Sequence, residues 1–235
     1  FEFGPGGAKL DYETVTVDGQ KITVNPPQSD RSWTVKLRKK AGRWTVDAGM
    51  ETGLHKRHGL QGPIDDAFMD SFVFVRPTGE PLSPETGKWT ANEMQRAILA
   101  WRRQFRGEAQ VVDDTAVTDE MIASSNLILW GDARSNRLLM KIHDRLPDVM
   151  KSQVMKSHDS SGVLMMIYPN PLNPKKYVVL NSGVTFREFD DLNNARQVPH
   201  LPDWAVIDTT TPPDEYAPGK VVAAGFFDEE WRLRP

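Results

Sequence analysis

Cysteine is absent from the 235 residues. That excludes disulfides, thiolate nucleophiles and cysteine-ligated metals. It leaves the compartment open, because a chain of this size can bury a sizeable core without cross-links. No run of 18 or more apolar residues occurs, so no segment reads as a membrane span. Neither sign of charge dominates: 29 Lys and Arg against 32 Asp and Glu give a net charge of −3. Such a balance supplies no electrostatic reason for a nucleic-acid partner. Low-complexity tracts and internal repeats are also missing; the 17 prolines and 17 glycines are scattered as turn punctuation.

The familiar catalytic motifs are missing as well. No G-x-S-x-G elbow occurs; Asn181-Ser182-Gly183 is the nearest approach and lacks the leading glycine. Gly87-Lys88 is followed by Trp89, so it is no phosphate-binding loop, and Gly4-Pro5-Gly6-Gly7 precedes no strand–helix unit. H-E-x-x-H is absent, and no cofactor is expected. The chain opens at Phe1 with neither an initiator Met nor a signal-peptide pattern. It therefore reads as a processed product or an excised part of a longer protein.

What is present is an ordinary globular composition, 39% hydrophobic and 26% charged, with a mean hydropathy of −0.50. Residues 1–60 read as a β-rich segment. Strands at 14–17 and 21–24 flank Asp18-Gly19, a turn pair that favours positive φ. Strands at 32–37 and 43–46 flank the turn 39–42, with Trp33 and Trp44 able to pair across them. Two hairpins alone are marginal, so this segment needs something to pack on.

Residues 61–235 read as an α/β domain. A strand at 71–75 and a Pro/Gly/Ser-rich stretch at 77–88 precede a helix with a Thr90/Glu93 capping box and Met94, Ile98, Trp101 and Phe105 on one face. A strand at 110–112 follows, and Thr118 caps a short helix. Next come a buried strand at 126–130, a tight loop at 131–135 and a helix at 136–146 stopped by Pro147. Strands at 149–156 and 164–168 lead to a proline-rich turn at 169–174. A strand at 177–180 then enters a helix capped by Thr185 and Glu188, with Val184 and Phe189 as a hydrophobic staple. Strands at 204–207 and 221–227 close the chain. This alternation predicts a mainly parallel sheet with helices on both faces, a Rossmann-like or flavodoxin-like three-layer fold preceded by the hairpins.

Three polar constellations remain. Gly131, Asp132, Ser135 and Asn136 follow one buried strand; Asn181, Ser182, Gly183 and Thr185 follow another. In a parallel sheet both groups fall on the carboxyl edge, where open α/β sheets bind ligands. Helix caps and tight turns need the same residue types, and cap chemistry alone accounts for them. Asp132 argues against an anionic ligand at its own loop. His55 and His58 flank Lys56-Arg57; without a nearby carboxylate or cysteine this reads as a solvated basic loop rather than a metal site. Asp65-Asp66 follow Gly62-Pro63. Coupled carboxylates can do acid–base work, but such acids also start helices, with Ile64 and Phe68 as the buried side.

Four strings occur together: residues 59–68 (Gly-Leu-Gln-Gly-Pro-Ile-Asp-Asp-Ala-Phe), 126–136 with Trp130-Gly131-Asp132, 168–183 from Tyr168-Pro169 to Ser182-Gly183, and 201–206 with Leu201-Pro202-Asp203-Trp204. In combination they resemble the C-terminal region of large bacterial α/β-hydrolase proteins of the prolyl-oligopeptidase-like serine peptidase or esterase type, notably from planctomycetes. The resemblance covers most of residues 55–210. It implies a hydrolase domain N-terminal to this region as the partner within one parent chain, an exported (periplasmic or secreted) location, and a non-catalytic accessory role here. None of that family's triad residues has a counterpart in this sequence. A ligand-binding or enzymatic α/β domain with its site at the carboxyl edge, and a pure protein-interaction module, remain alternatives.

Overall fold

The computed structural model describes residues 14–24, 35–47, 53–149 and 162–234. The chain divides into two compact units, residues 1–52 and 53–235.

The smaller unit holds two antiparallel hairpins. In the first, β1 (Thr14–Val17) pairs with β2 (Gln20–Thr23). Asp18 and Gly19 between them take φ of 49° and 76°, as a two-residue turn with both centres left-handed requires. In the second, β3 (Leu37–Lys40) pairs with β4 (Arg43–Val46). Here only Ala41 and Gly42 turn, with φ of 48° and 79°; Lys39 and Lys40 belong to the strand. The Gln20 side chain joins the hairpins by donating to the Trp44 carbonyl at 2.6 Å and accepting from its N–H at 2.8 Å. Trp33 and its expected cross-strand pairing lie outside the described residues.

In the larger unit a seven-stranded sheet runs in the order β11-β10-β8-β9-β7-β5-β6. Its strands are β5 (Phe72–Arg76), β6 (Val111–Asp113), β7 (Asn126–Leu129), β8 (Gly162–Asn170), β9 (Asn173–Leu180), β10 (Trp204–Asp208) and β11 (Lys220–Gly225). β6, β5, β7 and β9 are mutually parallel. β8 is antiparallel to both β9 and β10, and β11 is antiparallel to β10. Among the described residues the α-helices are α1 (Pro84–Phe105), α2 (Asp119–Ser124) and α3 (Arg137–Ile142). Val73, Ile128, Val179 and Val206, all with no exposed surface, mark the core along the sheet.

The expected three-layer, mainly parallel architecture is therefore wrong. The sheet is mixed, and among the described residues only α1 is longer than six residues, so the faces are not both clad in helices. Two local features account for the difference. The expected turn at 169–174 is instead the end of a hairpin: β8 and β9 run into it and only Pro171 and Leu172 turn, with a register shift at Pro169/Asn170. Proline is tolerated where the ladder is irregular, so a proline-rich string did not exclude strand. The helix expected after Gly183 does not form. Short 3₁₀ turns at Glu188–Leu192 and Asn194–Arg196 take its place, leaving β9 without a covering helix of its own. The strand expected at 149–156 falls almost wholly outside the described residues.

α1 starts six residues before the expected capping box. Ser83 caps it by accepting from the Thr86 N–H at 3.1 Å, and Pro84 occupies the first turn, where its missing N–H costs nothing. Thr90 and Glu93 are instead buried in the helix interior. α2 has the expected Thr118 cap, and α3 is capped by Asn136, whose carboxamide oxygen accepts from the Leu138 and Leu139 N–H groups.

Candidate functional site

Because β5, β7 and β9 are parallel neighbours, the loops that follow them meet at one edge. The register Leu127↔Val178 and Leu129↔Leu180 brings Gly131 beside Asn181. Asn181, with a left-handed φ of 52°, accepts from the Gly131 N–H at 2.8 Å and donates to the Gly131 carbonyl at 3.0 Å and the Leu164 carbonyl at 3.2 Å. Gly131 has φ of 98°, and a Cβ there would sit 2.5 Å from Ser135 Oγ, so this clamp needs glycine.

The loop after β7 is also tied to the loop after β5. Asp132 accepts from the N–H groups of Arg134 and Ser135 with one oxygen and from Leu82 N–H with the other. The Ser135 carbonyl accepts from Gly79 N–H at 2.8 Å, and Ser135 Oγ accepts from Asp132 N–H at 2.9 Å. Buried Asn136 donates to the Trp130 carbonyl at 3.0 Å while capping α3. Ser182 is fully buried, and its hydroxyl donates to the Gly183 carbonyl at 2.8 Å. Gly183 lies against α1, where a Cβ would meet that of Ala97 at 2.5 Å. Sequence thus assembles seven of the eight candidate residues at one edge, with their polar groups spent on nearby backbone.

Thr185 departs from its expected cap. It gives both its N–H and its hydroxyl to Asp65, while its Oγ1 accepts from His200 N–H at 2.8 Å. Asp65 and Asp66 belong to a 3₁₀ turn, Ile64–Phe68, with Ile64, Ala67 and Phe68 buried. The two acids face different partners, since Asp66 accepts from the Tyr177 hydroxyl. Burial raises the Asp65 pKa against the lowering effect of the Thr185 hydrogen bonds. Burial, then the bond to Asp66, raises that of Tyr177. Asn126 completes this seam by donating to the Ala67 carbonyl and accepting from Tyr177 N–H, both at 2.8 Å.

Sequence reasoning missed two buried ion pairs. Glu93 on α1 meets Arg187 in a two-pronged pair at 2.8 and 3.1 Å, and each side chain is 4% exposed. Its signal was a lone acid on the stripe Trp89, Glu93, Ala97, Ala100, three or four residues apart on the buried side of α1. Lys56, expected on a solvated loop, instead reaches Asp203 at 2.5 Å, with side-chain exposures of 11% and 0%. Lys56 Nζ also stands 5.0 Å from the Trp231 ring centre, a cation–π contact. Asp203 also accepts from Phe227 N–H, and burial raises its pKa against the pull of Lys56. Gly62 passes so close that a Cβ would fall 2.1 Å from Asp203 Oδ1. His55 and His58 gain no ligand partners: among the described residues no group of three or more metal-binding side chains occurs.

Two clefts flank the joined loops. One, of about 750 Å³, is floored by Leu139, Met166 and Leu180. The other, of about 590 Å³, lies along α1 beside β6. Both reach Gly131 and Asp132.

No family model matches the chain, and no solved structure matches it. It is similar to an uncharacterized secreted protein of Arthroderma benhamiae. The two are 25% identical over 236 residues, which cover 93% of this chain and 24% of that protein. The chain spans about a quarter of that relative's length. Among the described residues no helix is long and apolar enough to cross a membrane.

Proposed function

We propose that this chain is a non-catalytic accessory domain of an exported serine hydrolase. One observation carries the silent half of this reading: the polar side chains gathered at the carboxyl edge are engaged in holding their own loops. Ser182 hydrogen-bonds to the adjacent Gly183 carbonyl and lacks the base and free hydroxyl that a nucleophile requires. The hydrolase half rests on the resemblance of residues 55–210. It gains support from a secreted relative of which this chain matches only 24%.

Two measurements test the halves separately. The purified chain, incubated with p-nitrophenyl esters and peptide p-nitroanilides, is expected to give no turnover above buffer. Hydrolysis that disappears in Ser182→Ala would overturn the silent role. Sequencing the reading frame upstream of the Phe1 codon is expected to reveal a G-x-S-x-G elbow between a strand and a helix; a frame without any hydrolase signature removes the parent class.

A second reading, small-ligand binding at the carboxyl edge, is favoured by the 750 Å³ cleft with its aliphatic floor. Thermal shifts with sugars, nucleotides and phosphates check it, and no shift with any of them counts against it.

A further inference from the structure

Among the described residues the sheet ends in an open strand. Of the described strands, β6 pairs with β5 alone. Phe74 N–H donates to the Gln110 carbonyl and Asp114 N–H to the Arg76 carbonyl, both at 2.9 Å, with Phe74 opposite Val111 and Arg76 opposite Asp113. Bonded residues alternate along a parallel ladder, so Val112 turns both of its main-chain groups towards β5. Val111 N–H, Val111 C=O and Asp113 N–H consequently point out of the sheet. The Asp113 carbonyl is already taken by Ala116 N–H at 2.9 Å.

An open edge is ordinarily blunted by shortness and charge, and β6 is short, with an Arg76–Asp113 ion pair at its end. What sets this edge apart is the cleft beside it. Val111 shares a sheet face with Phe74, and the 590 Å³ cleft lies between Val111 and α1. Gly87, Ala91, Met94 and Ile98, spaced three or four apart, form the helix wall. The small side chains at 87 and 91 keep that wall low. Lys88, exposed and without an ion pair among the described residues, stands at the mouth.

We infer that β6 and this cleft accept an extended peptide segment as an additional strand. Its main chain pairs with Val111 and Asp113, its alternate apolar side chains enter the cleft, and an acidic side chain sits beside Lys88. Main-chain pairing supplies affinity and the pocket beside the edge supplies selectivity, as in other strand-addition modes of recognition. This inference stands whether or not the parent chain is a hydrolase, and its test involves no turnover.

The test presents the intact chain to an array of acetylated hexapeptides of randomised sequence, followed by amide hydrogen exchange with the strongest binder. Selection of alternating apolar residues with an Asp or Glu is expected, together with slowed exchange at Val111 and Asp113. Val111→Pro removes a donor the sheet does not use and is expected to weaken binding by about tenfold, the worth of one hydrogen bond. Ala91→Arg, on the exposed side of α1, fills the cleft without touching the core and is expected to abolish binding even if the proline variant folds poorly. Lys88→Glu is expected to reverse the preference for an acid. No peptide selected above background, protection elsewhere, or unchanged binding in Ala91→Arg overturns the inference. So does concentration-dependent dimerisation that Val111→Pro removes, which would assign the edge to a second copy of this chain.

Discussion

On one side of β9 every strand runs parallel to it, and on the other side directions alternate. The parallel half, β7, β5 and β6, sends its chain ends to a single edge, so loops distant in sequence meet there: Gly79 with Ser135, Leu82 with Asp132, Gly131 with Asn181. The antiparallel half, β8, β10 and β11, has no such shared edge. Its polar residues serve instead to bind flanking chain, and Lys56, Asp203 and the Phe227 N–H converge in the interior. Both clefts reach the loops of the parallel half at Gly131 and Asp132, and the larger extends onto β8 through Val163, Leu164 and Met166. Buried pins occur on the parallel side too: Tyr177 and Asn126 hold the turn at 64–68, and Glu93–Arg187 fixes α1 to the chain leaving β9.

The largest effect on this comparison is expected at the Glu93–Arg187 pair. Glu93→Ala leaves buried Arg187 charged without its two-pronged carboxylate, with only the Asp214 carbonyl and a distant Glu188 remaining, a loss of about 3–5 kcal/mol. Urea denaturation followed by both tryptophan fluorescence and circular dichroism checks it. Coincident transitions mean that the halves unfold together, and separated ones mean that the parallel half melts alone. Tyr177→Phe comes next. It strips a hydroxyl from Asp66 and from the Gly62 N–H, and is expected to cost about 1–3 kcal/mol through the buried groups left unpaired. Asn181→Ala opens the clamp on Gly131 and is expected to cost about 1–2 kcal/mol; its distinguishing sign is faster amide exchange at Gly131, with the antiparallel strands unaffected.

The smallest effect concerns pH. Asp65 and Asp203 both have pKa values raised by burial. The folded state therefore holds these protons more tightly than the unfolded state. Their contribution is greatest below the ordinary carboxylate pKa and is lost as pH rises through the raised values. Asp65→Asn keeps an acceptor for Thr185 and is expected to flatten that decline in a series of urea midpoints. An unchanged slope would show that Asp65 titrates normally.

Much of the framework was legible in the residues. Asp18-Gly19 marked its hairpin, the run 126–130 its buried strand, and the parallel relation of 126–129 to 177–180 followed from two strand–loop signals. The edge on which seven candidate residues meet was legible for the same reason. Failures came where local signals were ambiguous. Ser83-Pro84 opened α1 inside a stretch that read as loop, since proline in the first helical turn and proline in a turn look alike in sequence. Thr185 and Glu188 matched a cap pattern, yet a distant carboxylate, Asp65, claimed the threonine. The ion pairs of Lys56 and Glu93 were illegible because their partners lie 147 and 94 positions away, and charge on a loop or helix ordinarily signals solvent.

Gly62 carries a further consequence. Its φ of 75° favours glycine, and the space a methyl group would need is occupied by an oxygen of Asp203. Backbone shape and vacancy thus impose the same demand at one position. In a saturation library this residue should tolerate no replacement, while neighbouring Gln61, exposed to solvent, should drift freely, so that mutational tolerance changes from none to nearly complete across a single peptide bond.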